Sequence, residues 1–138
     1  MSLITFKIAT PKHVVVSDTA YMVVLPDTKG LLGVMELHMA MLGRLKPGVI
    51  YVYDTELHVK QRVFCHGGFF RFTDKNELII LANDIKQLDD LNRSEAEKLL
   101  AEWEAKILDT DRHEELEKIF WNIDIYRAAI QATYDVVR

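Results

Sequence analysis

Short segments of alternating apolar and polar residues fill the first half of the chain. Ile4, Phe6 and Ile8 alternate with Thr5 and Lys7, and a period of two is typical of a β-strand with one face in water. Segments of this kind predict seven strands, at residues 3–9, 13–17, 19–25, 48–54, 59–65, 69–73 and 77–82. Because no helical segment separates them, the pattern favours a β-sandwich or barrel over a βαβ fold.

Turn residues and wholly apolar segments refine this picture. Four turns are predicted from residues that favour tight turns, at Pro26-Asp27, Pro47-Gly48, Gly67-Gly68 and Asp74-Lys75-Asn76. The segments 20–25 and 49–53 are apolar on both faces. We therefore expect each of them to be covered on its second face, by another layer of the same chain or by a partner.

A helical period replaces the alternation in the last third of the chain. Apolar side chains spaced by three and four residues form two stripes: Ala96, Leu99, Leu100, Trp103 and Ile107, then Leu116, Ile119, Phe120, Ile123, Ile130, Tyr134 and Val137. We expect Asn92 or Ser94 to cap the first helix and Asp111 to cap the second. The short link at 109–111 predicts that the two helices run antiparallel as a hairpin.

Composition changes where the period changes. All six glycines and all three prolines precede residue 69. Residues 1–85 carry nine basic and eight acidic side chains, whereas residues 86–138 carry eight and thirteen. The sequence therefore predicts an N-terminal β domain at residues 1–86, a sandwich or a barrel, followed by a C-terminal antiparallel α-helical hairpin at 87–138.

Length and charge exclude several classes of protein. A chain of 138 residues, 49% of them hydrophobic, suffices for one ordinary domain with an appendage and excludes a large multidomain enzyme. Its net charge of −4 argues against a nucleic-acid partner, which would need clustered basic residues.

No apolar run reaches the ~18 to 20 residues of a membrane span, so we expect no direct membrane insertion. With a single Cys65 and no secretory signal at the N-terminus, we expect a soluble protein of a reducing compartment.

Residues that could support catalysis are sparse. The sequence lacks the common nucleophile, phosphate-loop, dinucleotide and zinc motifs, and its five histidines are scattered. Cys65 beside His66 leaves a thiol-dependent hydrolase as an alternative, but adjacent strand residues point to opposite faces, which favours a structural cysteine. We expect no catalytic residue, no metal site and no cofactor.

Several short motifs together resemble the epsilon subunit of the F-type ATP synthase, called delta in mitochondria. The matching pieces are Val24-Leu25-Pro26, Gly30-Leu31-Leu32-Gly33-Val34, His38, Leu45-Lys46-Pro47-Gly48, Gly67-Gly68-Phe69, Leu81-Ala82 and Asp90-Leu91. Their order and spacing cover nearly the whole chain. The family fold is an N-terminal β-sandwich followed by two helices, which agrees with the two periods.

The resemblance implies a non-catalytic rotor subunit of the central stalk. In the family, the sandwich binds the gamma subunit and the c-ring and so couples proton-driven rotation to ATP synthesis. The family segment that faces the ring matches residues 30–41, which implies contacts from Gly30, Leu31, Glu36, His38 and Met39. The family usually has Leu-Pro-Gly-His where this chain has Met35-Glu36-Leu37-His38. The implied location is peripheral, on the cytoplasmic face of a bacterial inner membrane or the matrix or stromal face in an organelle.

The helical hairpin carries two further expectations from the family. Hairpins of this family contact the alpha/beta catalytic hexamer transiently and inhibit ATP hydrolysis, in part through basic residues. Residues 113–138 hold three basic against five acidic side chains, so we expect weak or no electrostatic inhibition. Some members bind ATP through a motif that only Asp124 and Arg127 reproduce here, on the second helix. A nucleotide-sensing regulatory module is therefore the alternative function.

Overall fold

Eight strands form the first part of the protein. The computed structural model describes residues 3–109 and 112–134, and the chain divides between Gln87 and Leu88 into two compact units. The strands are β1 (Ile4–Ala9), β2 (Val14–Ala20), β3 (Met22–Asp27), β4 (Gly30–Met35), β5 (Met41–Tyr53), β6 (Val59–Phe72), β7 (Glu77–Ala82) and β8 (Ile85–Gln87).

Two long strands, β5 and β6, pass through both layers of a β-sandwich. The strand order is β2-β1-β7-β6-β5-β3-β4, and β8 also pairs with β6. The C-terminal part of β6 pairs with β7, and its middle part pairs with β8. Apolar side chains from both ends of this order, such as Phe6, Ile80, Val23 and Val34, are buried in one core cluster. The predicted β-sandwich is therefore confirmed.

The predicted turns at Pro47-Gly48 and Gly67-Gly68 are wrong. Both pairs lie inside the long strands, where Pro47 is opposite His66 and Gly48 is opposite Cys65 without a break in register. Gly67 and Gly68 have φ angles of 94° and 145°, which permit a bend that other residues resist. Glycine here turns the strand from one layer into the other, as strands do at the corner of a sandwich.

The alternating pattern also missed two strands, β4 and β8. β4 contains two glycines in six residues, which weakens the usual signs of a strand because glycine has low β-propensity. β8 is three residues long, too short to show a period.

The described residues of the second unit contain two α-helices, α1 (Arg93–Lys106) and α2 (His113–Thr133). Short 3-10 helices precede α1 at Leu88–Asp90 and follow it at Ile107–Asp109. The Asn92 side chain accepts a hydrogen bond from the Glu95 amide at 3.1 Å, which confirms Asn92 as the cap of α1. The other predicted cap, Asp111, lies outside the described residues.

Side-chain contacts join the start of α1 to the end of α2. Arg93 donates from Nε to Thr133 Oγ1 at 2.9 Å, and its guanidinium lies 3.9 Å from the centre of the Tyr134 ring. Nearer the other end of the hairpin, Arg127 Nη2 is 3.5 Å from Glu104 Oε1. These pairs confirm that the helices run antiparallel.

The predicted apolar stripe of α2 is partly wrong. Ile119 and Ile123 are buried, but Phe120 and Tyr134 are each 50% exposed, and Val137 lies outside the described residues. Small side chains further along the helix, Ala129 and Ala132, are buried instead. Alanine has little apolar surface and contributes weakly to a hydrophobic stripe. The helical period therefore selected the larger Phe120.

Gly68 provides a test of the corner in β6. A Cβ at this position would collide with the Leu81 carbonyl oxygen, and the positive φ would add backbone strain. We expect Gly68→Ala to lower the free energy of unfolding by about 2–5 kcal/mol, measured by urea denaturation.

Gly30→Ala is the matched control. Gly30 also has a positive φ, but a Cβ there would meet nothing within 4 Å. It should cost about 1–3 kcal/mol from backbone strain alone. Equal losses from the two substitutions would show that the contact with Leu81 does not matter.

Candidate binding surfaces

Exposed apolar side chains lie together on the outer face of one layer of the sandwich. Leu42 on β5, Phe69 on β6 and Leu81 on β7 are each more than half exposed. Phe69 is directly opposite Leu81 on one side and Arg44 on the other, and the Arg44 guanidinium lies 5.8 Å from its ring centre. We call Leu42, Arg44, Phe69 and Leu81 the sheet face. Exposed leucine and phenylalanine side chains interleaved with arginine are typical of an interaction surface.

The sequence contained a signal for this face. Leu42, Arg44 and Lys46 are the exposed positions of residues 41–46 in β5. They alternate with inward positions as a strand requires, but our predicted strand began only at residue 48.

A second apolar surface follows the free edge of the other layer. β4 is the last strand in the order and pairs with β3. Leu31 at its start is 71% exposed, and Met35 at its end is also exposed. The connection to β5 adds Leu37 and Met39, which are 85% and 78% exposed. We call Leu31, Met35, Leu37 and Met39 the edge seam.

The connection between β4 and β5 has a defined conformation. Leu37 has a φ of 65°, and its amide donates a hydrogen bond to Asn76 Oδ1 at 3.0 Å. The His38 amide donates to the Met35 carbonyl at 3.1 Å. His38 Nδ1 lies 2.7 Å from the Met39 carbonyl oxygen, and Nδ1 is the donor in this contact because a carbonyl oxygen only accepts. The ring also meets Phe72 edge to face at 5.9 Å.

The five residues expected at the c-ring are divided by β4. Gly30 and Leu31 lie at its start, whereas Glu36, His38 and Met39 follow its end. Five residues of extended chain span about 17 Å. The residues therefore share one strand and its loop without forming a single cluster.

The family of the chain is shown by comparison with known proteins. The family model described as "ATP synthase, Delta/Epsilon chain, beta-sandwich domain" matches residues 3–87. The chain belongs to the ATP synthase delta/epsilon family. The resemblance in the sequence is thereby confirmed, and the chain is a non-catalytic subunit of an ATP synthase.

Similar sequences include two bacterial ATP synthase epsilon chains. The one from Rhodospirillum centenum is 37% identical over 95 residues, which cover 68% of this chain and 64% of that relative. The one from Granulibacter bethesdensis is 30% identical over 134 residues, covering 96% and 98% of the two chains. The second match shows that the likeness extends through the helices.

Solved mitochondrial structures share the fold of this epsilon-type subunit. A chain in the Euglena gracilis ATP synthase structure (OSCP/F1/c-ring) has a TM-score of 0.82, with 96% of this chain and 82% of that chain covered. A chain in the Tetrahymena thermophila central stalk and c-ring structure has a TM-score of 0.74, with 94% and 96% covered. At 16% identity in both cases, these likenesses show the fold.

The two nucleotide candidates of the subunit lie on α2. Asp124 and Arg127 are both exposed, and Arg127 pairs with Glu104 of α1. The negative charge of this carboxylate beside the guanidinium disfavours a phosphate there. Nucleotide binding by these residues stays a prediction.

Cys65 and His66 do not form a catalytic pair in this epsilon-type subunit. The Cys65 side chain is buried, its sulfur accepts a hydrogen bond from the Gly67 amide at 3.2 Å, and burial raises its pKa to about 11. His66 is half-buried, and burial lowers its pKa. A cysteine nucleophile reacts as the thiolate, which this burial disfavours.

The described residues contain neither a metal cluster nor a membrane-spanning helix. Within residues 3–109 and 112–134, no group of three His, Cys, Asp or Glu side chains could hold a metal ion. Over the same part of the chain, neither helix is long and apolar enough to cross a membrane.

The burial of Cys65 predicts a slow thiol. With a pKa of about 11, only ~0.1% of the thiol is ionised at pH 8, and its access is closed. We expect native subunit to react with a disulfide reagent such as DTNB at least a hundredfold more slowly than subunit unfolded in guanidinium, which is the control. Rapid labelling of native protein would contradict this assignment and reopen the thiol alternative.

Proposed function

We propose that this subunit is a rotor component of the central stalk in a proton-translocating F-type ATP synthase, where it couples rotation of the c-ring to ATP synthesis. One observation supports this role above the others: a single sandwich exposes two apolar surfaces on different layers. A part that transmits torque needs two interfaces on one stiff body. The Tetrahymena thermophila structure with the similar chain, which contains a central stalk and c-ring, is consistent with this place.

In this proposal the sheet face binds the gamma subunit. Leu42, Phe69 and Leu81 come from three adjacent strands, so they form a broad surface on a framework held by backbone hydrogen bonds. Aromatic and arginine side chains such as Phe69 and Arg44 are enriched at the centres of protein interfaces. Each large apolar side chain that becomes buried would contribute about 1.5–3 kcal/mol before the costs of association.

The edge seam binds the c-ring in this proposal. Leu31, Met35, Leu37 and Met39 form a narrow apolar line, and the matching family residues Gly30, Glu36 and His38 lie along the same strand and loop. A narrow line of this kind suits contact with successive loops of a ring better than a broad docking area. The subunit would then be peripheral, on the cytoplasmic face of a bacterial inner membrane or the matrix or stromal face in an organelle.

The helical hairpin would reach the alpha/beta hexamer transiently without strong inhibition. The segment that would meet acidic stator regions, residues 113–138, carries an excess of acidic side chains. Like charges at such a contact disfavour association. Hydrolysis control by this hairpin would therefore depend on apolar contacts.

Reciprocal substitutions test the two surfaces. We expect Leu81→Asp to weaken binding of the full-length chain to its gamma subunit at least ~tenfold, because an unpaired carboxylate would be buried at the contact. Met39→Glu should leave the affinity for the gamma subunit within ~twofold of wild type. It should weaken binding to the c-ring at least ~tenfold. Both affinities can be measured by calorimetry, or by surface plasmon resonance with the gamma subunit or the ring immobilised.

Each variant serves as the control for the other. Leu81 and Met39 are exposed, so both variants should retain the wild-type unfolding curve. The assignment fails if each substitution weakens both partners equally or if neither has an effect.

Removal of the hairpin tests the regulatory expectation. Deletion of residues 88–138 should raise ATP hydrolysis by the assembled complex by less than severalfold, because the acidic hairpin inhibits weakly. A full-length variant with Glu114→Lys and Glu117→Lys should hydrolyse ATP more slowly than wild type, since it replaces repulsion with attraction. Co-purification of each variant with the complex is the control, and a larger rise on deletion would contradict weak inhibition.

A further inference from the structure

Leu37 occupies a backbone conformation that its side chain disfavours. Its φ of 65° lies in the left-handed region, which glycine enters freely and asparagine tolerates, whereas a bulky residue there is an outlier. Its side chain is 85% exposed, so burial does not compensate for the strain. Something outside Leu37 must hold this conformation in place.

Asn76, in the turn between β6 and β7, provides that hold. Its side-chain oxygen accepts the Leu37 amide hydrogen bond at 3.0 Å, across 39 residues of sequence. Its backbone amide donates to the Thr73 carbonyl at 3.3 Å, and its own carbonyl accepts from the Thr5 amide at 3.0 Å. Asn76 is thus attached to the sandwich through its main chain and to the edge seam through its side chain.

The conformation of Leu37 determines where the rest of the edge seam points. If φ of Leu37 relaxed to the negative values that leucine prefers, the chain direction after it would change. His38 and Met39 follow immediately, and the Met35–His38 backbone hydrogen bond spans Leu37. If loss of the Asn76 contact lets Leu37 relax, this hydrogen bond breaks as well, and Met39 and the Leu37 side chain are displaced together.

We propose that Asn76 is a positioning residue for ring binding: its carboxamide oxygen holds Leu37 in the left-handed conformation that presents Leu37 and Met39 as an apolar contact. This inference rests on the proposed function, because it takes the c-ring as the partner of the edge seam. It deepens that function by stating that the ring surface opposite residues 37 and 39 is apolar. It also identifies strain at Leu37 as the reason why the seam depends on a residue in another turn.

Three variants of the full-length chain separate the contributions of Asn76. Asn76 has a φ of 59°. Asn76→Gly introduces a residue that adopts this φ freely but removes the acceptor oxygen. Asn76→Asp introduces a residue that tolerates this φ and keeps an acceptor oxygen. Leu37→Asn replaces the strained residue with one that tolerates the left-handed region. Two quantities are measured for each: hydrogen exchange of the Leu37 amide in the free subunit, and affinity for the c-ring assembled with gamma subunit.

We expect Asn76→Gly to accelerate Leu37 amide exchange about tenfold and to weaken ring binding about three- to tenfold, the worth of one hydrogen bond. Asn76→Asp should restore both quantities to within ~threefold of wild type. In the Leu37→Asn background, Asn76→Gly should weaken ring binding further by about twofold or less. Asparagine at position 37 tolerates the left-handed conformation, so little strain remains for Asn76 to offset. Rescue by the aspartate separates positioning from a general loss of stability.

The outcomes distinguish this inference from the function on which it rests. If Asn76→Gly leaves Leu37 exchange unchanged, Asn76 does not hold the loop and the inference is wrong. If exchange accelerates and Met39→Glu weakens ring binding, but Asn76→Gly does not, the ring contact stands and positioning by Asn76 is overturned. If neither Met39→Glu nor Asn76→Gly alters ring binding, the proposed ring contact itself fails.

Discussion

In-register pairing between β5 and β6 is the constraint on which the rest of the sandwich depends. These strands remain in register from Met41 opposite Phe72 to Val52 opposite Gln61, although the chain bends at Gly67 and Gly68. The pairing joins the layer that carries the sheet face to the layer that carries the edge seam. A hydrogen-bonded ladder resists sliding because every backbone pair would have to break together. Force applied to one surface would therefore reach the other through backbone hydrogen bonds.

Much of the fold could be predicted because most strands and both helices show their periods clearly. Ile4, Phe6 and Ile8 are all buried, as the alternation predicts. The errors occurred where one residue type is found in two kinds of structure. Glycine usually marks a turn that ends a strand, but Gly67 and Gly68 lie at a bend within one. Phe120 was wrongly predicted to be buried for a related reason, because a large apolar side chain can face solvent while small alanines are buried.

The candidate surfaces were less accessible to sequence reasoning than the fold. Resemblance indicated residues 30–41, but it gave no reason to select Asn76, which lies 39 residues beyond Leu37 in the chain. No periodic pattern in the sequence predicts a hydrogen bond between two turns. The sheet face depends on which side of β5 and β6 faces outward, and the predicted boundaries omitted the first part of β5. Both features emerge only when strand register is known.

The edge seam is difficult to explain by the needs of a free monomer. An edge strand presents unpaired backbone groups, and proteins usually protect such edges with charge, proline or a covering segment. β4 instead carries Leu31 and Met35 outward, with Leu37 and Met39 beyond them. Exposure of these side chains favours unwanted association, and strain at Leu37 adds a further cost. Both costs are understandable if another subunit covers this edge in the assembled enzyme, because burial there would recover apolar free energy that the isolated chain forgoes.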